Sequence, residues 1–242
     1  MQQQKNNYMK IALLGYGRMG KSIEAIALNR KHTITLKISD KSEDYDFTNT
    51  DVAIDFSIPS VAVYNIKKAL DAGIPVISGT TGWLDQYSEV LKYCEEKNGT
   101  FLYASNFSLG VNIFFEINNR LSQLMGGLPE YTAEIEEIHH TQKLDAPSGT
   151  AITLAEHIIE HTKYKNWTLE QPKSDEINIE AKRIEGVPGT HEITYNSEID
   201  SISIKHTAHS RQGFAMGAVI AAEWIKDKKG VFSMKDVLKI NA

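Results

Sequence analysis

Short apolar and β-branched runs alternate with helix-period segments through the first hundred residues. KIALLG (10–15), HTITLKI (32–38), DVAIDFS (51–57), PVISG (75–79) and TFLYASN (100–106) read as strands. MGKSIEAIALNRK (19–31), SVAVYNIKKALDAG (60–73) and LDQYSEVLKYCEEKNG (84–99) read as helices. In the first of these, Met19, Ile23, Ile26 and Ala27 share one face; the other two end at glycine, a normal helix stop. This alternation predicts a parallel sheet covered by helices on both faces.

The second half has another rhythm. GVNIFFEINNRLSQLM (110–125) and TAITLAEHIIEH (150–161) are helical in period. EYTAEIEEIHH (130–140), DEINIEAKRIEG (175–186), THEITYN (190–196) and DSISIKHTAH (200–209) are strand-like. Turn signals at Val187-Pro188-Gly189 and Asn196-Ser197-Glu198 separate the last three, so an antiparallel or mixed sheet is expected. In the run 131–140, Tyr131, Ala133 and Ile135 share one parity and Ile138 breaks it; a bulge near Glu136-Glu137 would reconcile them. A closing helix, about 214–227, carries a small-residue face of Ala215, Gly217, Ala218, Ala221 and Ala222 suited to close packing. The expected division is a first domain over 1–107, completed by 212–242, and a second, α+β domain over 108–211.

With 41% hydrophobic and 24% charged residues, the chain is ordinary globular material rather than a disordered one. The net charge is −5 and no Lys/Arg block stands out, which argues against nucleic acid or an anionic membrane as partner. A single cysteine, Cys94, excludes a disulfide within the chain and points to a reducing cytoplasm. The polar start MQQQKNNYM lacks the features of a signal peptide, and the apolar segment 214–225 is too short to span a bilayer.

Gly15-Tyr16-Gly17-Arg18-Met19-Gly20 is a G-x-G-x-x-G that follows a strand and opens a helix. In that context the first glycine permits the tight turn, the second lets backbone approach a pyrophosphate, and the third lets helix and strand pack closely. Asp40, after the second strand, is placed to take ribose hydroxyls, which favours NAD, whereas Lys41 beside it could accept a 2′-phosphate. The loops Gly79-Thr80-Thr81-Gly82 and Ala104-Ser105-Asn106-Phe107 follow strands whose carboxyl ends would present a ligand, and suit a nicotinamide ribose and carboxamide. Three patterns resemble other chemistry. His157-Ile158-Ile159-Glu160-His161 fits an inverted zinc-protease motif, but its polar residues fall opposite the apolar face and read as a solvated side. Tyr64 and Lys68 fit Y-x-x-x-K but sit on the helix after the third strand, away from the expected nicotinamide end. His139-His140 with Asp145 lack a second ligand pair nearby, so a metal is unsupported.

EIEEIHHTQKLDAPSGTA (134–151) carries the remaining chemistry. Histidine gives or takes a proton near neutrality, and Lys143 adds positive charge and a proton source. Ser148 is a natural N-cap, and the free amides behind it, with the hydroxyls of Ser148 and Thr150, would suit a carboxylate. Hydride chemistry beside such a site implies reduction of an unsaturated, anionic small molecule.

Taken together, GYGRMG, GTTG, ASNFSLG, EIHHTQKLDAPSGTA and the terminal HSRQGFAMGAVIAAEWI resemble the dihydrodipicolinate (4-hydroxy-tetrahydrodipicolinate) reductase family over nearly the whole chain. The resemblance implies an N-terminal Rossmann domain with a parallel sheet. It also implies a C-terminal α/β domain whose mixed sheet builds homotetramers. It implies reduction of 4-hydroxy-tetrahydrodipicolinate, with loss of water, in the diaminopimelate route to lysine, using NADH and/or NADPH. His139 would then be proton donor/acceptor and Lys143 proton donor; His140 would contact the dicarboxylate substrate; Gly149 and Thr150 would hold one carboxylate. Gly15–Gly20, Asp40, Lys41, Gly79–Thr81 and Ala104–Phe107 would hold the cofactor. The short segment between Asp40 and Asp51 departs from the family and affects adenine-side contacts alone. Another two-domain oxidoreductase acting on a small carboxylate is the alternative.

Overall fold

The computed structural model describes residues 8–39, 44–210 and 212–240. Asp40 and Lys41, expected to meet the ribose, lie outside the described residues. The chain divides into two compact units: residues 1–109 with 212–242, and 110–211.

The first unit is built on a six-stranded parallel sheet. Its strands are β1 (Lys10–Leu14), β2 (Thr33–Ile38), β3 (Val52–Asp55), β4 (Val76–Ser78), β5 (Thr100–Tyr103) and, late in the chain, β11 (Gly230–Phe232). Their order across the sheet is β11-β5-β4-β3-β1-β2. Strands β1, β3 and β4 are buried along almost their whole length, which is why they read as unbroken apolar runs rather than alternations. The helices α1 (Arg18–Asn29), α2 (Pro59–Asp71), α3 (Tyr87–Glu96) and α6 (Gln212–Ile225) cover it. One core joins β1 and β3 to α1 and α6 through Leu13, Ile54, Ile23, Ala218 and Ala222. The other joins the opposite sheet face to α2 and α3 through Leu14, Ala53, Ile66 and Val90. The small face of α6 has a specific cause: a Cβ on Gly217 would sit 1.7 Å from the Phe107 carbonyl oxygen.

The second unit carries a five-stranded mixed sheet in the order β10-β9-β6-β8-β7. These are β6 (Thr132–His139), β7 (Asn166–Thr168), β8 (Glu176–Arg183), β9 (Gly189–Asn196) and β10 (Ser201–Ala208). β6 runs parallel to β8 and antiparallel to β9. Helices α4 (Leu109–Met125) and α5 (Gly149–His161) supply its apolar core, where Phe114, Leu154 and Ile158 meet Ile135, Ile177 and Ile193.

Three expectations are corrected. The bulge near Glu136-Glu137 does not form: β6 pairs with β9 residue for residue from Thr132 to Ile138. Instead Ala133, Ile135, Glu137 and His139 share the buried face, and the break in apolar alternation is a buried acid rather than a slip of register. The helix expected over 84–99 is a 3₁₀ turn, Leu84–Gln86, followed by α3. His157 and His161 are half-buried rather than solvated; His157 packs edge-on against Phe115 and His161 bonds Asn119 Oδ1 at 2.9 Å. The short β7, β11 and α7 (Met234–Leu238) were not expected from the pattern.

Candidate active site

In the first unit the glycine motif stands at the switch between β1 and its two neighbours, β2 and β3, where an open parallel sheet presents ligands. Gly15 adopts φ +99°, and a Cβ there would lie 2.2 Å from the Phe56 carbonyl oxygen. A Cβ on Gly20 would lie 2.3 Å from the Gly15 carbonyl oxygen, so helix and turn pack backbone to backbone. Gly17 is the N-cap of α1 and exposed, and a Cβ on it would meet nothing within 4 Å. This leaves an open space before a helix N-terminus, the form an anion cradle takes. A cleft of about 380 Å³ opens there, lined in part by Gly15, Tyr16, Ser39, Ser57 and Asn65. Arg18 is exposed and Met19 half-buried against the core.

Beneath the cleft lies Asp55, fully buried at the end of β3. Its Oδ1 accepts from Ser57 Oγ (2.6 Å) and Asn65 Nδ2 (3.1 Å). Its Oδ2 accepts from Ser78 Oγ and Thr80 Oγ1, both at 2.8 Å. Burial pushes its carboxyl above the ordinary range against those four donors. Asp55 thus ties the loops after β3 and β4 together, a role that pattern reasoning misses; a lone acid ending an apolar strand is its signal in the sequence. Gly79 is fixed by the Phe56 ring, 2.3 Å from where its Cβ would be. The expected ligand loops divide accordingly: Thr81 and Ser105 are exposed, Ala104 and Asn106 half-buried, and Thr80 turns its hydroxyl down to Asp55. Phe107 is 1% exposed and belongs to the core, tilted against Phe56 at 5.5 Å.

In the second unit the site gathers at the end of β6. Glu137 is 0% exposed. Both its oxygens lie within bonding distance of the Ser148 amide (3.1 and 3.0 Å), and Oε1 accepts from Arg183 Nη2 at 3.0 Å. Its Oε2 is 3.6 Å from His139 Nδ1 and 3.7 Å from His191 Nε2. Burial would raise its carboxyl, but the nearby His191 imidazole and the bonds from Ser148 and Arg183 outweigh that and hold it at about 2. His139 is held down at about 4, first by burial and then by His191, so its imidazole is neutral at pH 7. The two imidazoles stand edge to face with centroids 5.0 Å apart.

Ser148 caps α5: its Oγ accepts from the Ala151 amide at 3.2 Å and bonds His191 Nε2 at 3.1 Å. Gly149 is exposed, with nothing within 4 Å of a Cβ position, and Thr150 is half-buried, so this helix start also faces open space. Lys143 is bound to both Asp145 oxygens, at 2.9 and 2.7 Å, and its amide donates to the His140 carbonyl. Arg183 clamps the same loop by donating to the carbonyls of Lys143 and Asp145. His139, His140, Lys143 and Ser148–Thr150 are therefore one connected group. Arg183 and His191 escape a reading of the sequence because they come from β8 and β9, and nothing in their local sequence marks them. Glu137, His139 and His191 bring one ligand atom each within 4.8 Å, but a cation there would compete with the Arg183 guanidinium.

The model of the family described as "Dihydrodipicolinate reductase, N-terminus" matches residues 9–107, and that described as "Dihydrodipicolinate reductase, C-terminus" matches 110–238. The 4-hydroxy-tetrahydrodipicolinate reductase of Christiangramia forsetii is 58% identical over 233 residues, covering 95% of this chain and 98% of that protein. Its namesake from Methanococcoides burtonii is 38% identical over 227 residues, with 91% and 85% covered. Among solved structures, dipicolinate-bound dihydrodipicolinate reductase from Paenisporosarcina sp. TG-14 matches with a TM-score of 0.75 at 22% identity, covering 93% of this chain and 97% of that one. Aspartate dehydrogenase from Thermotoga maritima matches at 0.52 and 11% identity, covering 91% and 98%. At those identities the two structures speak for the fold.

Proposed function

The chain belongs to the dihydrodipicolinate reductase family, and on that premise we propose that it reduces 4-hydroxy-tetrahydrodipicolinate to tetrahydrodipicolinate, with loss of water, at the expense of a reduced pyridine nucleotide. The observation that carries the reading is the junction at the end of β6, where one buried acid lies between an imidazole and a capped helix N-terminus.

The cofactor fits the first unit, where Gly15 and Gly20 draw the backbone tight and Gly17 leaves the cradle open. Gly15–Gly20 would face its pyrophosphate, Gly79–Thr81 and Ala104–Asn106 its nicotinamide end, with Phe107 in the core beneath, and Asp40 and Lys41 its ribose. When bound, the nucleotide supplies hydride. Lys41 supports use of both NADH and NADPH.

The residues of the second unit handle charge and protons. The amides behind Ser148, with Gly149 and Thr150, orient a substrate carboxylate, and His140 contacts the same molecule. An arriving dicarboxylate raises the proton affinity of His139, because negative charge beside an imidazole favours its charged form. His139 then gives or takes a proton, and Lys143, released from Asp145, gives one. The enzyme is cytoplasmic and a homotetramer assembled through the mixed sheet; the exposed strand β10, with Ile202 40% exposed, supports that assembly.

His139→Gln and Lys143→Ala test the assignment. Each is expected to lower kcat roughly 10²–10⁴-fold, the worth of general acid–base catalysis, while NADH binding, followed by fluorescence, is unchanged. A variant that keeps the native rate removes its residue from the chemistry.

A further inference from the structure

We infer that Glu137 is a positioning residue for the reduction: it receives the Nδ1 proton of His139, leaving Nε2 as the nitrogen turned to the substrate, and through the Ser148 amide it locks that imidazole to the carboxylate-binding start of α5. This deepens the function proposed above and rests on it.

Glu137 is wholly enclosed, and a buried carboxylate persists only with partners. It has the Ser148 amide and the Arg183 guanidinium, and its Oε2 faces two imidazoles, His139 Nδ1 at 3.6 Å and His191 Nε2 at 3.7 Å, the second already bonded to Ser148 Oγ. That Nδ1 is buried and has no hydrogen-bond partner among the described residues. The gap lies just beyond hydrogen-bonding range, and such contacts in free enzymes tighten when substrate binds. The Nε2 edge of the ring lies against Gly189 of β9: a Cβ there would press to 3.2 Å from Nε2 and 3.3 Å from Cδ2, so glycine leaves room for the imidazole at that edge.

The charges around the imidazole separate the roles. His191 on β9, Arg183 on β8 and Lys143 on the loop all disfavour a proton on His139, and Glu137, its neighbour on β6, favours one. Glu137 therefore both fixes the tautomer and balances the imidazolium that forms during turnover. Because the same carboxylate holds the Ser148 amide, the proton-active ring and the anion cradle keep a fixed relation.

Glu137→Gln keeps the shape and removes the charge. We expect kcat to fall about 10–100-fold, by analogy with the loss of a partner that orients a metal-bound histidine, with a smaller change in KM. With the charge gone His139 holds its proton less well, so the alkaline limb of the kcat profile moves to lower pH. Glu137→Asp restores part of the rate. The tautomer is read directly by ¹⁵N NMR of the full-length enzyme labelled at histidine, with the His139 signal identified by its loss in His139→Gln. Nδ1–H with a bare Nε2 is expected. A resting Nε2–H tautomer, or a folded Glu137→Gln enzyme with native kcat and pH profile, overturns the role. If Glu137→Gln does not fold, the tautomer of the native enzyme decides. Failure of the native enzyme to turn over strikes the proposed function instead, and leaves the tautomer reading to its own measurement.

Discussion

Two glycines three residues apart in the cradle separate binding from stability. Gly20 sits in the first turn of α1 with a hypothetical Cβ 2.3 Å from the Gly15 carbonyl oxygen. Alanine is the better helix former by about 0.8–1 kcal/mol. Against that gain, the clash falls on backbone, which cannot rotate away, and overpacking of this kind costs about 1–3 kcal/mol or more. The net expectation for Gly20→Ala is a loss of about 1–2 kcal/mol, and a domain of this size loses about 2–4 °C in Tm per kcal/mol. Gly17 differs, because its Cβ would enter open space. Gly17→Ala loses only the advantage of glycine over alanine at an N-cap, roughly 0.5 kcal/mol, but fills the place where a pyrophosphate would approach. It should weaken NADH binding about tenfold or more, equivalent to roughly 1.4 kcal/mol, with a Tm within about 2 °C of native. Calorimetric melts and fluorescence titration with NADH measure both. A Gly17→Ala protein that binds NADH with native affinity refutes the cradle, and a Gly20→Ala protein with native Tm refutes the packing.

Ser148→Ala removes the cap on α5 and the His191 contact; it should cost about 1–2 kcal/mol in urea unfolding and raise KM for the dicarboxylate, and an unchanged KM would detach the cradle from Ser148. Acid should weaken the fold in two stages. His139 falls from 6.5 to about 4 in the folded chain, and Glu137 from 4.5 to about 2. Both folded values are depressed, so the unfolded chain takes up protons first and stability declines as pH drops. The His139 contribution is lost between about 6.5 and 4 and that of Glu137 between about 4.5 and 2. His139→Gln should flatten the upper part of a Tm-versus-pH curve, and a curve identical to the native one contradicts a His139 origin for the first stage.

The parallel sheet was legible because β1, β3 and β4 are buried on both faces and so write continuous apolar runs. The glycine motif was legible because strand, turn and helix carry it in sequence order. β7, β11 and α7 escaped because three to five residues hold too little periodicity to register. β6 shows why a site hides: Glu137 occupies an inward position that pattern reasoning reserves for an apolar residue, and so it reads as a register slip. Its partners Arg183 and His191 reach it through sheet pairing across long stretches of chain, which no local window sees. His157 and His161 mislead in the opposite sense, since the position of α4 against α5 decides what that face touches.

Turnover itself tests the account most directly. Purified enzyme, supplied with the product of dihydrodipicolinate synthase made in situ, is monitored at 340 nm with NADH and with NADPH in turn. Loss of absorbance that depends on that product is predicted with at least one nucleotide, and a fall of roughly 10²–10⁴-fold in His139→Gln should accompany it. Absence of product-dependent oxidation of either nucleotide would contradict the account.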